Sequence, residues 1–163
     1  MNSLYDTDKQ IQIEHYESIR EDVHIHAPYL IIREQLLNIK NNPKWLSKNF
    51  QQYRTEGNAL FFNLQLPWHN TEAALEVDQS ETFLVTYKNH KSSPNEPMIL
   101  SITWAIHAET SNDAHLTVEL LYLPANGIFG NLKELVLLKG SRIQAFRESL
   151  WNLKQLIEAQ MDN

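Results

Sequence analysis

The chain has 163 residues, of which 42% are hydrophobic and 21% charged, enough apolar surface for one folded domain and too little charge for a disordered chain. It has no cysteine, which excludes a disulfide framework, a thiolate metal site and a cysteine nucleophile. Acidic residues number 20 against 14 basic ones, and the resulting formal charge of -6 repels a phosphate backbone, so neither nucleic acid nor anionic lipid is an expected partner.

Residues 1–14 read as a flexible arm, with acids where a signal peptide needs a basic and then an apolar run. No segment approaches the roughly 20 apolar residues of a membrane helix, so a cytoplasmic protein without membrane insertion is the expectation. Over residues 15–26 the pattern alternates, with Ile19, Val23 and Ile25 on one face and Arg20, Asp22, His24 and His26 on the other, which predicts a half-buried strand. Ala27-Pro28 ends it, and proline fits the first turn of a short apolar helix carrying Leu30, Ile31, Leu36, Leu37 and Ile39. Asn41-Asn42-Pro43 stops that helix, and a short second helix or turn then carries Trp45 and Leu46 toward the core.

The middle of the chain reads as consecutive strands. Residues 50–55 and 58–66 flank Glu56-Gly57 as a hairpin, the second alternating Leu60, Phe62, Leu64 and Leu66. Runs follow at 73–78, at 82–89 with Val85 and Tyr87, and at 98–108 with Leu100, Ile102, Trp104 and Ile106 on one face. Residues 88–97 form a turn-rich, exposed excursion. A last run, 115–123, places Leu116, Val118, Leu120 and Tyr122 together and brings the expectation to seven strands. From Ile128 the period becomes helical. Phe129, Leu132, Val136, Lys139, Ile143, Phe146, Leu150, Leu153 and Ile157 form one stripe, and a helix of about 30 residues would run about 45 Å. Lys139 breaks the stripe, and Gly140 beside it costs ~1 kcal/mol of helix propensity relative to alanine.

This α+β order resembles the helix-grip fold of the SRPBCC superfamily, which includes START domains, birch-pollen-allergen proteins and polyketide cyclases and dehydrases. The residues that carry the resemblance are Val23-His24-Ile25-His26-Ala27-Pro28 leading into a short helix and Pro43-Lys44-Trp45 opening the second. Leu150-Trp151-Asn152-Leu153-Lys154-Gln155-Leu156-Ile157-Glu158 closes the long helix. The resemblance implies one domain over 15–163: a seven-stranded curved antiparallel sheet wrapped around a long C-terminal helix, with two short helices after the first strand. It also implies a cavity between sheet and helix for a small hydrophobic ligand, with no cofactor.

Lining residues would then be Phe62, Tyr87, Leu100, Ile102, Trp104, Leu120 and Tyr122 from the strands, with Val136 and Ile143 from the helix. Lys139 either points into this cavity, to meet a ligand carboxylate or Glu21, or snorkels to solvent beside Gly140. The aromatic residues either offer polar tips to a ligand or simply pack. Trp68 sits in a loop, as a lid or as a small satellite cluster.

Seven histidines raise a metal question. His24 and His26 share a strand face and could hold one ion, but the sequence shows no third ligand and their row reads as solvated, so no metal is expected. His107 and His115 flank a turn and are candidates for a cross-strand pair. There is no GxSxG elbow, no HExxH helix and no phosphate loop at Gly127-Ile128-Phe129-Gly130. Three functions compete: a carrier of a lipid-like or polyketide-like molecule, a cyclase or dehydrase that moves protons in the same cavity, and a co-chaperone-like module using the outer face of the sheet. The carrier leads, because no convincing acid-base pair is visible and the outer rows are polar. Oligomeric state is not legible.

Overall fold

Alternation along the strands sets one apolar face per strand, and the fold follows from burying those faces together. The computed structural model describes residues 15–90 and 97–163. The expected arm at 1–14 and positions 91–96 of the expected excursion lie outside the described residues.

All seven strands form: β1 (Glu17–Ile25), β2 (Phe50–Glu56), β3 (Ala59–Leu66), β4 (His69–Asp78), β5 (Leu84–Asn89), β6 (Ile99–Thr110) and β7 (Asp113–Tyr122). They make one antiparallel sheet in the order β1-β7-β6-β5-β4-β3-β2. Strands β2 to β6 each pair with their successor, whereas β1 pairs with the last strand, β7. The chain must therefore cross from one sheet edge to the other after β1. It does so through α1 (Tyr29–Leu37), which packs on β5 and β6, and a 3-10 turn (Ile39–Lys44). Two short helices were expected and two form, but the first ends at Leu37, and the second starts at Ile39 and includes Asn41-Asn42-Pro43 instead of following it. A 35-residue helix closes the chain in three parts: α2 (Gly127–Lys133), a π-helical turn (Glu134–Leu138) and α3 (Lys139–Met161). Helix and sheet together make the helix-grip architecture.

Two hairpin turns need left-handed backbone. Gly57, between β2 and β3, has φ +59°, a conformation that glycine adopts without strain. Between β3 and β4 the turn is only Pro67-Trp68, because Leu66 pairs directly with His69, and Trp68 takes φ +53°. Strand β4 therefore starts at His69 rather than at Ala73. Trp68 stands 86% exposed at this tight turn, so it does not pack as the satellite cluster that was one of its two expected places.

The inner rows bury Ile19 and Ile25 of β1, Leu60, Phe62 and Leu64 of β3, Val85 and Tyr87 of β5, Ile102 and Trp104 of β6, and Leu116 through Tyr122 at alternate positions of β7. Leu100 departs from its row. A bulge between Ile99 and Ser101 leaves it unpaired and half-buried, and Ile99 takes the core position instead. Helix α3 covers the rows with Phe146, Leu150, Leu153 and Ile157, each worth about 1.5–3 kcal/mol of burial. Several polar groups trapped beneath are paired. Tyr87 Oη donates to Leu36 O at 2.5 Å and Tyr53 Oη to Ile39 O at 2.6 Å, tying the crossing segment to the sheet, and burial raises both phenols above their ordinary value. Ser149 Oγ accepts the Ser47 N–H at 2.8 Å and donates to Ala145 O, which fixes the chain after the 3-10 turn against α3.

The long helix corrects the sequence pattern in its first half. Phe129, Leu132, Val136 and Lys139 are exposed, while Glu134, Leu138 and Arg142 are buried. The reason is the π turn. It takes about one residue more than the 3.6 of an α turn, so the buried stripe upstream of it shifts by one position.

Candidate functional site

The same extra residue builds the most heavily buried charged group of the site. One α turn and one π turn together span about eight residues, which places Glu134 and Arg142 on one line along the helix. Their side chains make a two-pronged ion pair, Arg142 Nη1 to Glu134 Oε2 at 2.6 Å and Nη2 to Oε1 at 2.7 Å. Arg142 is 2% exposed. Its guanidinium carbon lies 4.0 Å over the ring of Tyr122, and Glu134 Oε1 also accepts the Ala125 N–H at 2.8 Å. Burial by itself would raise the Glu134 pKa, but the Arg142 guanidinium and the Ala125 N–H outweigh it and hold the carboxyl below its ordinary value. Tyr122 Oη donates to Glu17 Oε2 at 3.3 Å, and mainly through burial its phenol is pushed up to about 12. The pair thus anchors the end of α2, where the π turn begins, on the segment after β7.

Beside this anchor lies a cleft of about 380 Å³, lined by His69, Met98, Leu123, Ala125, Phe129 and Lys133, with Pro124 and Gly130 at its wall. Gly130 lets the helix approach closely there: a Cβ would stand 3.1 Å from the Ala125 carbonyl carbon, so that backbone would have to give by a few tenths of an ångström. His69 Nε2 is shielded from solvent and has no hydrogen-bond partner among the described residues. Burial first, then the charges of Arg142 and Lys133, lower the His69 pKa against the opposing pull of Glu134, so the ring is neutral near pH 7. Lys133 Nζ donates to Trp68 O at 2.9 Å and thereby ties α2 to the β3–β4 turn. Helix α2 itself buries none of its residues. With the π turn it leaves Ile128, Phe129, Leu132, Leu135 and Val136 between 60 and 88% exposed.

The sequence-predicted residues divide between three places. Phe62, Tyr87, Ile102, Trp104, Leu120 and Tyr122 converge in the core between sheet and helices, with Ile143 packed against it. There Trp104 meets Trp45 edge-on at 5.4 Å and Tyr87 at 5.9 Å, and the indole N–H groups of both tryptophans are buried without a partner among the described residues. Leu100 sits at its bulge. Val136 and Lys139 face outward at the other side of the helix, where Lys139 lines a second cleft with Glu17, Asn131, Glu134 and Leu135. Glu21 does not meet Lys139; it pairs with Arg147, Nη2 to Oε1 at 3.0 Å. The sequence reading missed Glu134, Arg142 and His69. An opposite-charge pair eight apart in a helical run was the available signal for the first two. His107 and His115 do pair across β6 and β7.

No family model and no curated protein matches the sequence. Solved structures do match in fold. The KanY protein is similar with a TM-score of 0.71 at 20% identity, over 88% of this chain and 98% of that one. A protein from Thermus thermophilus gives 0.69 at 16%, over 88% and 99%. The Zhui aromatase/cyclase of a Streptomyces species gives 0.66 at 12%, over 90% and 96%. A START superfamily protein from Mycobacterium smegmatis and a norcoclaurine synthase share the fold at 13% and 12% identity. These likenesses show the fold, a helix-grip architecture, and the fold alone.

Proposed function

We propose that this helix-grip protein binds a small hydrophobic molecule with one hydrogen-bonding head, taken up through the cleft beneath α2. The observation that carries the proposal is the seating of α2: five large apolar side chains of α2 and the π turn are exposed and no α2 residue is buried, although the segment roofs an apolar cleft. Both holds sit at the C-terminal end of α2, Lys133 on the β3–β4 turn and Glu134 on Arg142 just beyond, so the roof can swing about that end at low cost. The cleft lies within the usual range for small-molecule sites, and lifting the roof gives access toward the aromatic core. His69 and Lys133 supply the polar contacts for the head. Carriage of a lipid-like or polyketide-like molecule, without chemistry, is the primary reading.

A second reading is favoured by His69. A neutral imidazole with a shielded, unpartnered nitrogen in an apolar cleft has the chemistry of a general base, as a cyclase or dehydrase would need. The co-chaperone reading finds less support, since the outer face of β1, β7 and β6 carries histidines and carboxylates.

Native mass spectrometry of gently purified protein tests the proposal against the denatured mass. A reproducible non-covalent adduct, lost in Phe129→Asp, supports carriage in this cleft. An adduct unaffected by Phe129→Asp refutes the location. A clean mass, together with no binding of the fluorescent apolar probe ANS, refutes the carrier. His69→Ala distinguishes the two readings: a carrier keeps its adduct with weaker affinity, whereas an enzyme accumulates unreacted substrate.

A further inference from the structure

On the face of the sheet away from the helices, strand register assembles what the sequence left scattered. His24 of β1 lies opposite His115 of β7, which lies opposite His107 of β6. His26 follows His24 on the same face, and the β6–β7 turn brings Glu109 and Asp113 to that end of the sheet. His26 Nδ1 is 2.7 Å from Asp113 Oδ1, and His24 Nε2 is 3.5 Å from both Asp113 Oδ1 and Glu109 Oε2. One donor atom each from His24, His26 and Asp113 lies within 4.8 Å of the others.

These spacings suit an ion. Ligands bound at 2.0–2.2 Å in a tetrahedron stand about 3.4 Å apart, and the His24–Asp113 and His24–Glu109 contacts at 3.5 Å already have that separation. The His26–Asp113 hydrogen bond needs to open by less than about 1 Å, and the two imidazoles, whose donor atoms lie within 4.8 Å of each other, close on the ion by side-chain rotation. The second oxygen of each carboxylate is also held: Asp113 Oδ2 accepts from Thr110 Oγ1 at 3.0 Å, and Glu109 Oε1 lies 3.0 Å from His115 Nε2. Such outer partners aim the free oxygens at the histidines. Ordinary surface ion pairs do not require two imidazoles and two carboxylates to converge from three strands.

We propose that His24, His26 and Asp113, completed by Glu109, bind one divalent transition-metal ion of the zinc class. Two imidazole nitrogens and two carboxylate oxygens suit zinc, copper or nickel rather than magnesium or calcium. The ion joins the edge strand β1 to the β6–β7 hairpin, beside the C-terminal part of α3, where Glu158 accepts the His26 N–H. Helix α2 and the cleft lie at the opposite end of the long helix, so this site is independent of the ligand proposal.

The test is calorimetric titration of the full chain, without a polyhistidine tag and stripped with chelator, using Zn²⁺ and, as control, Mg²⁺. One Zn²⁺ per chain at micromolar or tighter affinity is expected, with no Mg²⁺ binding. His24→Ala and His26→Ala should each abolish the 1:1 step while the circular dichroism stays native. Glu109→Gln should weaken it at least about tenfold. His107→Ala, in the same row but outside the donor set, should leave it intact. Absence of the 1:1 step in the wild type, or an equal loss in His107→Ala and His26→Ala, overturns the site.

Discussion

Removing the Arg142 charge tests the reason for the π turn. Arg142→Met keeps the aliphatic volume but takes away both hydrogen bonds to Glu134, leaving that carboxylate with the Ala125 N–H alone. Breaking a buried pair by removing one partner costs about 3–5 kcal/mol. The Glu134 side chain is 11% exposed, so water reaches it with little rearrangement and the lower end, about 3 kcal/mol, is expected. Glu134→Gln/Arg142→Met keeps an acceptor for Ala125 and leaves no charge, so it should return to within about 1 kcal/mol of the wild type. Urea denaturation of the four proteins measures the cycle. Its acid limb adds a sign. Because the folded pKa of Glu134 lies below its ordinary 4.5, its contribution is fully present above that value and is lost as pH falls through the folded pKa. Arg142→Met should lack that acid-side loss. A single-variant cost under about 1 kcal/mol, or strict additivity in the double variant, would refute the argument.

Ser149→Ala strands the buried Ser47 N–H and should cost about 1–3 kcal/mol in the same denaturation assay; a neutral result contradicts the role given to that hydroxyl. Trp68→Gly relieves a left-handed residue whose side chain buries little, and should stabilise by about 0.5–1 kcal/mol in a thermal melt. A destabilised variant would mean that the indole packs in a way the turn geometry does not account for. Asp78 should titrate at about 2 by carboxyl NMR, chiefly because it accepts the Ser80 N–H and secondarily because of Lys88, and Lys88→Met should raise that midpoint part of the way. Any stabilisation from Asp78 is therefore present above its ordinary 3.8 and lost as pH falls through about 2. A midpoint near 3.8 in the wild type would contradict it.

The sheet was legible because period two survives wherever a strand has one buried face: Leu60, Phe62 and Leu64, or Val118, Leu120 and Tyr122, needed only alternation. The helix was legible from Phe146 onward for the corresponding reason, a regular 3.6 period. Upstream, a single inserted residue changes phase within Glu134–Leu138, where no proline or glycine stands, and Gly140 just beyond it gave no sign of the phase, so Lys139 took the place of Leu138 in the pattern, and Glu134 and Arg142 went unseen. The bulge at Leu100 is equally silent. His24 and His26 were visible as a pair, but Asp113 reaches His26 from 87 residues away. Only the β1–β7 register, a property of the whole sheet, brings it there. The cleft histidine was hidden because its strand begins four residues before the alternation becomes clear.

The central claim is that α2, anchored at the π turn that follows it, forms a weakly seated cover over a ligand cleft. Amide hydrogen exchange measures that seating directly. Residues 127–133 should exchange far faster than residues 142–157 in the free protein, and should slow when an apolar ligand or probe occupies the cleft. Protection of 127–133 equal to that of the α3 core, unchanged by any bound apolar molecule, would contradict the account.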